Sequence, residues 1–318
     1  MTNETIKTFL EAVSDALYSY ILIAVLIGVG LYFFIRTKAL PLRMFGESLR
    51  VVAEPPEKEG EVSSFRALMV STASRVGVGN IAGVAIAIVT GGPGAVFWMW
   101  VIAFIGTATG FVESTLAQIY KIPRGHGLFH GGPAYYIQNA LGQPAVAKLF
   151  AVLISVTFGL IYVSVQANTI ALSMEKAFGI ETWVMGAVLA VLAGVVIFGG
   201  IHRVASLSSL LVPVMAGIYL LIALIIIVMH IDQVPAMFAL ILHDAFSPQA
   251  AVGGGIGTVI LTGIRRGLFS NEAGEGSIPN AAATANVTHP VKQGLVQAFG
   301  VYVDTWIVCS ATAFIVLL

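Results

Sequence analysis

The 318-residue chain is 58% apolar and only 10% charged, whereas a soluble domain carries about 25% charged residues. Its 16 basic and 16 acidic side chains cancel to a net charge of zero, so the basic surface typical of a nucleic-acid-binding protein is not indicated. With a mean hydropathy of +0.93, this composition excludes an ordinary soluble protein and predicts a polytopic helical membrane protein.

Seven or eight apolar segments are candidates for membrane helices, because a bilayer core of about 30 Å takes about 20 helical residues. They cover residues 18–35, 65–89, 93–120, 146–172, 182–200, 205–230, 252–283 and 291–318. A signal peptide is the alternative for the first segment. Its leading stretch carries Glu4, Glu11 and Asp15 instead of a basic cluster, and no small-residue cleavage site follows, so we predict a retained membrane helix.

The orientation is predicted from the basic residues of the short connections, which stay on the cytoplasmic side. They gather in alternate connections, namely the first (Arg36, Lys38, Arg43, Arg50, Lys58, Arg66), the third (Lys121, Arg124), the fifth (Arg203) and the seventh (Lys292). The chain is therefore expected in the plasma membrane with its N-terminus on the outer side. Two amphipathic spacers, residues 121–141 inside and 234–246 outside, could lie flat on the bilayer surface.

Two of the apolar segments contain a related, glycine-rich interruption. Arg75 is followed by Asn80 and by Ala82-Gly83, and Arg266 is followed at the same spacing by Asn271 and by Ala273-Gly274. Five predicted helices separate the two starts, and an odd number reverses the chain direction. The pattern therefore predicts an inverted repeat with two discontinuous helices. Chance similarity is the alternative, since the chain has 34 glycines, although Arg and Asn at membrane depth are costly.

This repeat predicts how the chain is divided. Residues 1–60 form an extra N-terminal helix and its cytoplasmic connection, 61–232 the first five-helix repeat, 233–250 an extracellular amphipathic connection and 251–318 the start of the second repeat. A second repeat as long as the first would continue for about three helices beyond residue 318. We therefore expect the sequence to be a piece of a longer protein.

Several segments resemble the alanine or glycine:cation symporters, also called the sodium/alanine symporter family. The matching stretches read GVGNIAGVA at residues 77–85, GGPGAVFWMW at 91–100, GGPAYYI at 131–137, NEAG at 271–274 and AAA at 281–283. The resemblance implies an all-α, leucine-transporter-type bundle and sodium-coupled symport of a small neutral amino acid. It also implies a later helix, with further site residues, that these 318 residues do not contain.

The first interruption is a candidate site for an amino acid and a cation, because an interrupted helix frees backbone groups that need partners. The new half-helix offers N–H groups to a carboxylate at Gly77, Val78, Gly79 and Asn80. The preceding half offers the carbonyls of Arg75 and Val76 to sodium, together with the side-chain carbonyl of Asn80. The alternative for Asn80 is that its side chain caps the new half-helix.

Further binding residues are expected in the second interruption. Carbonyls of residues 267–270 would meet the substrate ammonium group, with Ser270 and Asn271 nearby, and the resemblance supports Phe269 as an apolar lid. Gln166, a lone polar group in an apolar helix, would bind the carboxylate or the ammonium. The alternatives are ordinary packing for Phe269 and an interhelical hydrogen bond for Gln166.

The remaining polar residues are harder to assign. Charges at membrane depth each need a partner or a water path, and they comprise Glu113, Glu272, Glu275, Asp304, Arg75, Arg265 and Arg266. An ion pair between the two interruptions is favoured over a proton relay through Glu272, and Asp304 is a further candidate contact for the ammonium. Cys309 is expected to pack, and no two histidines have metal-ligand spacing.

These features favour secondary active transport by alternating access, with sodium as the co-transported ion and no organic cofactor. The alternatives are a proton-coupled carrier and a passive channel for small solutes. A phosphate-binding Walker loop and the constellation of a membrane hydrolase are both absent from the sequence, so an enzyme is not predicted. The expected partners are a small neutral amino acid and the lipid bilayer, without nucleic acid or an obligatory protein partner.

Overall fold

A computed structural model describes residues 3–56, 61–125, 128–247 and 257–318. The described chain is almost entirely helical. Its first part comprises α1 (Asn3–Ala16), α2 (Ile23–Arg36), α3 (Leu40–Arg43), α4 (Phe45–Val52), α5 (Ser64–Arg75), α6 (Val78–Gly91) and α7 (Ala95–Ile119). A β-hairpin of β1 (Ile122–Gly125) and β2 (Leu128–His130) follows.

The second part contains α8 (Pro133–Leu141), α9 (Pro144–Val156), α10 (Val163–Phe178), α11 (Thr182–Ile197), α12 (Gly200–Met229), α13 (Val234–Ala245), α14 (Thr258–Asn271), α15 (Ser277–Ala283), α16 (Pro290–Val301) and α17 (Ser310–Leu317). Three short π-helical segments join neighbouring helices into longer rods, at Leu17–Leu22, Thr157–Tyr162 and Tyr302–Cys309. Such wide turns are rare and occur often at functional sites.

The described residues contain four helices that are long and apolar enough to cross a membrane, namely Ala95–Ile119, Pro144–Phe178, Gly200–Met229 and Pro290–Leu317. A fifth is obtained if α5 and α6, which are bent by 42° at their junction, count as one broken span. The prediction of seven or eight spans is therefore met only in part. The segment at 182–200 forms a shorter helix, and residues 252–256 of the seventh segment, with the glycine run at 253–255, lie outside the described residues.

The two amphipathic spacers have different structures. Residues 234–246 form α13, whose buried face packs Met237 and Ile241 against Ala95, Val96 and Met99 of α7. Among the described residues of the stretch 121–141, only those of α8 are helical, and the β-hairpin precedes them. Lys121 donates to the carbonyl of Ala285 (2.7 Å), so this end of the stretch is fixed to the segment after α15.

Helix α7 lies at the centre of the described fold and contacts α2, α14, α15 and α16. Gly267 of α14 allows a close approach to α7, since a Cβ there would clash with Ile102 of α7. The two interrupted helices cross in opposite directions: α14 contacts α6, and α15 contacts α5. The first half of each interrupted helix thus lies beside the second half of the other.

Candidate functional site

The first interruption lies at Val76 and Gly77, between α5 and α6. The N–H groups that would continue the helix are diverted to side chains: Gly77 N donates to Asn80 Oδ1 (3.0 Å) and Val78 N to Gln166 Oε1 (3.0 Å). The carbonyls of Ala73 and Ser74 consequently lose their usual i+4 donors. The break predicted from the sequence is confirmed at this point.

The second interruption lies at the C-terminal end of the predicted glycine-rich stretch. Helix α14 continues through Asn271, and the chain turns at residues 272–276, with Glu272 in the left-handed region at φ 54°. The expectation of free carbonyls at residues 267–270 is therefore wrong for 267 and 268, because Gly267 lies inside a regular helix that packs against α7 and Glu272 N donates to the carbonyl of Leu268. The end of α14 still exposes carbonyls, since Ala273 N donates to Asn271 Oδ1 (3.0 Å) and Gly274 N to Glu113 Oε1 (3.2 Å). These are the N–H groups that the carbonyls of residues 269 and 270 would otherwise accept.

A cavity of about 530 Å³ lies beside both interruptions. Six of the predicted site residues line it: Arg75, Val76, Gly77, Gly79, Gln166 and Phe269. Its outer wall comes from the α9–α10 rod and from α11, through residues such as Phe158, Tyr162 and Leu189. Its volume falls within the range of about 300–1,000 Å³ that is usual for small-molecule sites.

Phe269 forms part of the cavity wall beside Gly79. A Cβ added at Gly79 would lie 3.3 Å from the Phe269 ring, so the two residues are in close contact across the interruptions. The ring also meets Tyr162 edge-on, with centroids 5.4 Å apart. Tyr162 and Phe158 were not singled out in the sequence, because aromatic residues in an apolar helix carry no signal of which face they occupy.

The other four predicted site residues lie behind this wall. Val78 reaches the cavity region through its bond to Gln166, and Asn80, Ser270 and Asn271 are buried. Asn80 Oδ1 caps the start of α6 through Gly77 N, which is the alternative considered for this side chain. Asn271 Oδ1 accepts from Ala273 N, and its amide nitrogen has no hydrogen-bond partner among the described residues.

Asn80 joins the first interruption to a buried carboxylate. Its Nδ2 donates to Asp304 Oδ1 (2.7 Å) and to Ser270 Oγ (3.0 Å). Asp304 Oδ2 accepts from Ser270 Oγ (2.9 Å) and Thr305 Oγ1 (3.0 Å), and Cys309 Sγ lies 3.1 Å from Ser270 Oγ. Asp304 is therefore one layer behind the cavity, in the π-helical segment Tyr302–Cys309, and not among the residues that line it.

Glu272 connects the two interruptions directly. Its carboxylate accepts Ser74 Oγ of α5 (3.1 Å) and also Ser277 Oγ at the start of α15. Two further acids flank the same turn: Glu113 accepts Gly274 N, and Glu275 Oε2 accepts Tyr162 OH (3.1 Å). The expected ion pair between the two interruptions is thus replaced, among the described residues, by hydrogen bonds from hydroxyl and backbone groups.

Comparison with known proteins identifies the family. The model of the "Sodium:alanine symporter family" matches residues 3–318. The chain belongs to this family. The resemblance seen in the sequence is confirmed, and the family agrees with a helical membrane protein whose members are named as carriers, not enzymes.

Three of its relatives, all from Bacillus subtilis (strain 168), are named as carriers or symporters. The amino-acid carrier protein AlsT is 55% identical over 305 residues, which are 96% of this chain and 65% of that protein. A probable sodium/glutamine symporter, GlnT, is 50% identical over 306 residues (96% and 64%). A putative sodium/proton-dependent alanine carrier, YrbD, is 50% identical over 309 residues (97% and 64%). The chain thus spans about two-thirds of the length of these symporter-family relatives.

Proposed function

We propose that the protein is a sodium-coupled symporter of a small neutral amino acid, alanine or glycine, which works by alternating access in the plasma membrane. The supporting observation is that two interrupted helices meet at a cavity of about 530 Å³ and turn backbone groups toward it. Within a bilayer, irregular backbone is tolerated where it lines a cavity or is buried in protein. A zwitterion and a cation are the ligands that such backbone ends suit.

The cation site in this proposal lies at the end of α5. Its ligands are the carbonyls of Arg75 and Val76 and the side-chain oxygen of Asn80. The usual helical donor to the Val76 carbonyl, Asn80 N, bonds instead to Gly77 O (3.2 Å). The Asp304 carboxylate, held by Asn80 and Ser270, supplies negative charge behind the site and so favours a cation at this end.

The substrate site uses Gly77, Val78, Gly79 and Asn80 together with Gln166, Phe269, Ser270 and Asn271. Gln166 Oε1 occupies Val78 N–H in the described structure, the position that a substrate carboxylate would take. On binding, the carboxylate would replace this oxygen, and Gln166 would be free to donate its amide hydrogens. The carbonyls at the end of α14 face the ammonium group, and Phe269 limits the size of the side chain.

The inverted repeat is the scaffold for this mechanism. The antiparallel crossing of the two interrupted helices is the arrangement that an inverted pair requires, and the proposed units are 61–232 and 251–318. Occupied together, the amino acid and the cation complete each other's coordination shell. The pair therefore favours the occluded state more than either ligand alone does, which couples the two fluxes.

A proton-coupled carrier is the second candidate. Three carboxylates surround the turn at residues 272–276, namely Glu113, Glu272 and Glu275, and buried acids of this kind serve in proton relays. The name of one relative, the putative sodium/proton-dependent alanine carrier YrbD, also points to proton coupling. Uptake that follows neither the sodium gradient nor the proton gradient would indicate a passive channel.

The experiment is uptake of radiolabelled alanine, glycine and glutamine into proteoliposomes that contain the protein. We expect an inward sodium gradient to drive accumulation of alanine or glycine above equilibrium, and potassium in its place to abolish it. A proton gradient that drives accumulation without sodium would favour the second candidate. Equilibration that is indifferent to both ions and to unlabelled competitor would contradict the symport proposal.

A further inference from the structure

A line of five buried polar side chains fills the interface between α5 and α16. It consists of Ser64, Ser71 and Arg75 on α5 and of Gln293 and Gln297 on α16, all at most 3% exposed. Arg75 belongs to the proposed binding site, and the other four residues do not. Polar groups between helices at membrane depth are costly unless each finds a partner, so this line needs an explanation.

The hydrogen bonds of this line all run in one direction. Arg75 Nη2 donates to Ser71 Oγ (2.9 Å), and Ser71 Oγ donates to Gln297 Oε1 (2.5 Å). Gln297 Nε2 then donates to Gln293 Oε1 (3.3 Å), and Gln293 Nε2 to Ser64 Oγ (3.1 Å). A chain with aligned donors polarises cooperatively, and a cation at its donor end strengthens the first bond.

The line spans α5 from its first residue to its last, which is where the first interruption begins. Helix α16 makes room for the guanidinium, since a Cβ added at Gly300 would clash with Arg75 Nη2. Arg75 also donates through Nε to the carbonyl of Ser71 (3.2 Å). The same residue therefore carries a proposed cation ligand, its backbone carbonyl, and the first donor of the polar line.

Helix α5 also packs against α12 and α15, and two cavities lie along it. The central cavity touches Ala73 to Gly77, and a second cavity of about 360 Å³ touches Val70, Ser71 and Ser74. The cavities thus leave space along the second half of α5, in which this half of the helix can shift about the 42° bend at Val76 and Gly77. Ser71 lies at the wall of the second cavity, where water can compete for the bond to Gln297.

From this geometry we propose that the five side chains form a polar latch that fixes α5 against α16 and so sets the position of the carbonyls at Arg75 and Val76. Gln293 and Gln297 are positioning residues: they touch neither ligand and act through α5. This inference rests on the proposed sodium site. It adds that sodium binding and closure of the latch favour each other, because both require α5 in one place.

The test measures sodium dependence and the position of α5 in the same variants. Gln297→Leu removes the bonds of Gln297 to Ser71 and Gln293, and Ser71→Ala removes the bonds of Ser71 to Arg75 and Gln297. We expect each change to raise the sodium KM of alanine uptake at least about threefold, since one interhelical hydrogen bond of average strength accounts for a factor of about three. The maximal rate at saturating sodium should stay unchanged. The effect of the double variant should be smaller than the sum of the two single effects, since both changes break the bond between Ser71 and Gln297.

The position of α5 is read from spin labels at Arg66→Cys and Thr288→Cys, both at exposed positions, while the single native cysteine, Cys309, is buried. We expect sodium to narrow the distance distribution, and Gln297→Leu to broaden it and to require about threefold more sodium for narrowing. Val296→Ala is the matched control. It removes apolar packing against Leu68 and Met69 at the same interface but no hydrogen bond, and should leave the sodium KM unchanged.

Three results would overturn the latch: a normal sodium KM in both single variants, an equal rise in Val296→Ala, or strictly additive effects in the double variant. If Gln297→Leu does not fold, Ser71→Ala, the smaller change, decides. If no variant and no parent protein takes up alanine with sodium, the proposed function fails, and the latch is judged by distance alone. Unbroadened distances in Gln297→Leu and Ser71→Ala would then refute it.

Discussion

The side chain of Asn80 bonds to three different segments of the site. Its side-chain oxygen caps α6 through Gly77 N, while its nitrogen holds Asp304 and Ser270. Capping and cation binding, treated as alternatives in the sequence, are compatible, because a carbonyl oxygen has two lone pairs. The cap orients the oxygen that the proposed sodium site uses.

Replacing Asn80 with alanine should therefore weaken sodium binding. The change removes one proposed ligand and leaves Asp304 without its 2.7 Å donor, and hydrogen bonds to charged groups contribute about 1.5–3 kcal/mol. We expect the sodium affinity to fall about tenfold or more. The measurement is the sodium-dependent rise in Tm of the purified protein, which reports binding through its stabilising effect.

Asn168→Ala is the control for this prediction, since the same side chain is lost at an exposed position of α10. Its sodium-dependent rise in Tm should equal that of the parent protein. An unchanged rise in Asn80→Ala, with normal folding, would remove Asn80 from the cation site.

Phe269 should control which side chains the cavity admits. Its ring contacts Gly79 and Tyr162 and narrows the space beside the first interruption. In Phe269→Ala we expect leucine and glutamine to compete with alanine about tenfold better than in the parent, the size of effect that a few methylene groups have in an apolar pocket. Competition assays with labelled alanine measure this ratio. Phe178→Ala, at a residue that is 71% exposed, should leave it unchanged, and unaltered size selection in Phe269→Ala would assign the ring to packing only.

At the scale of the helices, the first interruption depends on a close approach between two elements. A Cβ at Gly77 would lie 2.9 Å from Gln166 Oε1 of α10, so a side chain there displaces Gln166 from Val78 N. In the proposed complex Gln166 donates to the bound substrate carboxylate, and a displaced Gln166 loses that bond. Gly77→Ala should therefore raise the alanine KM about fivefold, which corresponds to about 1 kcal/mol for one hydrogen bond. Kinetics at saturating sodium measure the change.

The matched control for this helix junction is Gly217→Ala. A Cβ at Gly217 meets no atom within 4 Å, and alanine is the better helix former, so this variant should keep the parent KM. Equal effects of the two substitutions would show that alanine acts through general helix stability. Parent-like kinetics in Gly77→Ala would mean that Gln166 donates no hydrogen bond to the bound substrate.

The two interruptions differ in how well the sequence predicts them. At the first, glycines coincide with the break, and its position follows from local chemistry. At the second, Gly267 packs against α7, and the turn begins at Glu272, a residue that rarely adopts φ near 54°. That turn depends on Glu113, Ser74 and Ser277, which are distant in sequence or on other helices, so no local pattern signals it.

The helices themselves were predictable where apolar runs are long, as in α7 and α12. The β-hairpin was not, because Pro and Gly in a short polar stretch fit a loop equally well. Asp304 was recognised as a buried charge, but its place one layer behind the cavity depends on three donors from three segments, Asn80, Ser270 and Thr305. Burial of this kind is a property of the assembled helices and not of any one of them.

For the molecule as a whole, ion pairs and hydrogen bonds between distant segments lie near both ends of α7. Near its C-terminal end, Lys292 pairs with Glu54 (2.6 Å), and Lys121 donates to the carbonyl of Ala285 (2.7 Å). Near its N-terminal end, Asp244 accepts from Gly94 N (2.7 Å). The 25 residues of α7 extend for about 37 Å at 1.5 Å per residue, which is enough to cross a bilayer core. The two linked ends therefore correspond to two membrane faces.

This arrangement leads to the proposed orientation. Lys121 and Lys292, which belong to two of the odd-numbered connections, lie at the same end of α7, and retained positive charge marks the cytoplasmic face. We expect Lys7→Cys, on α1, to react with a membrane-impermeant maleimide in intact cells, and Arg124→Cys, on β1, to react only after the membrane is permeabilised. The parent protein is the background for both, since its single cysteine, Cys309, is buried. The opposite labelling pattern would invert the orientation, and labelling of both sites in intact cells would contradict a single topology.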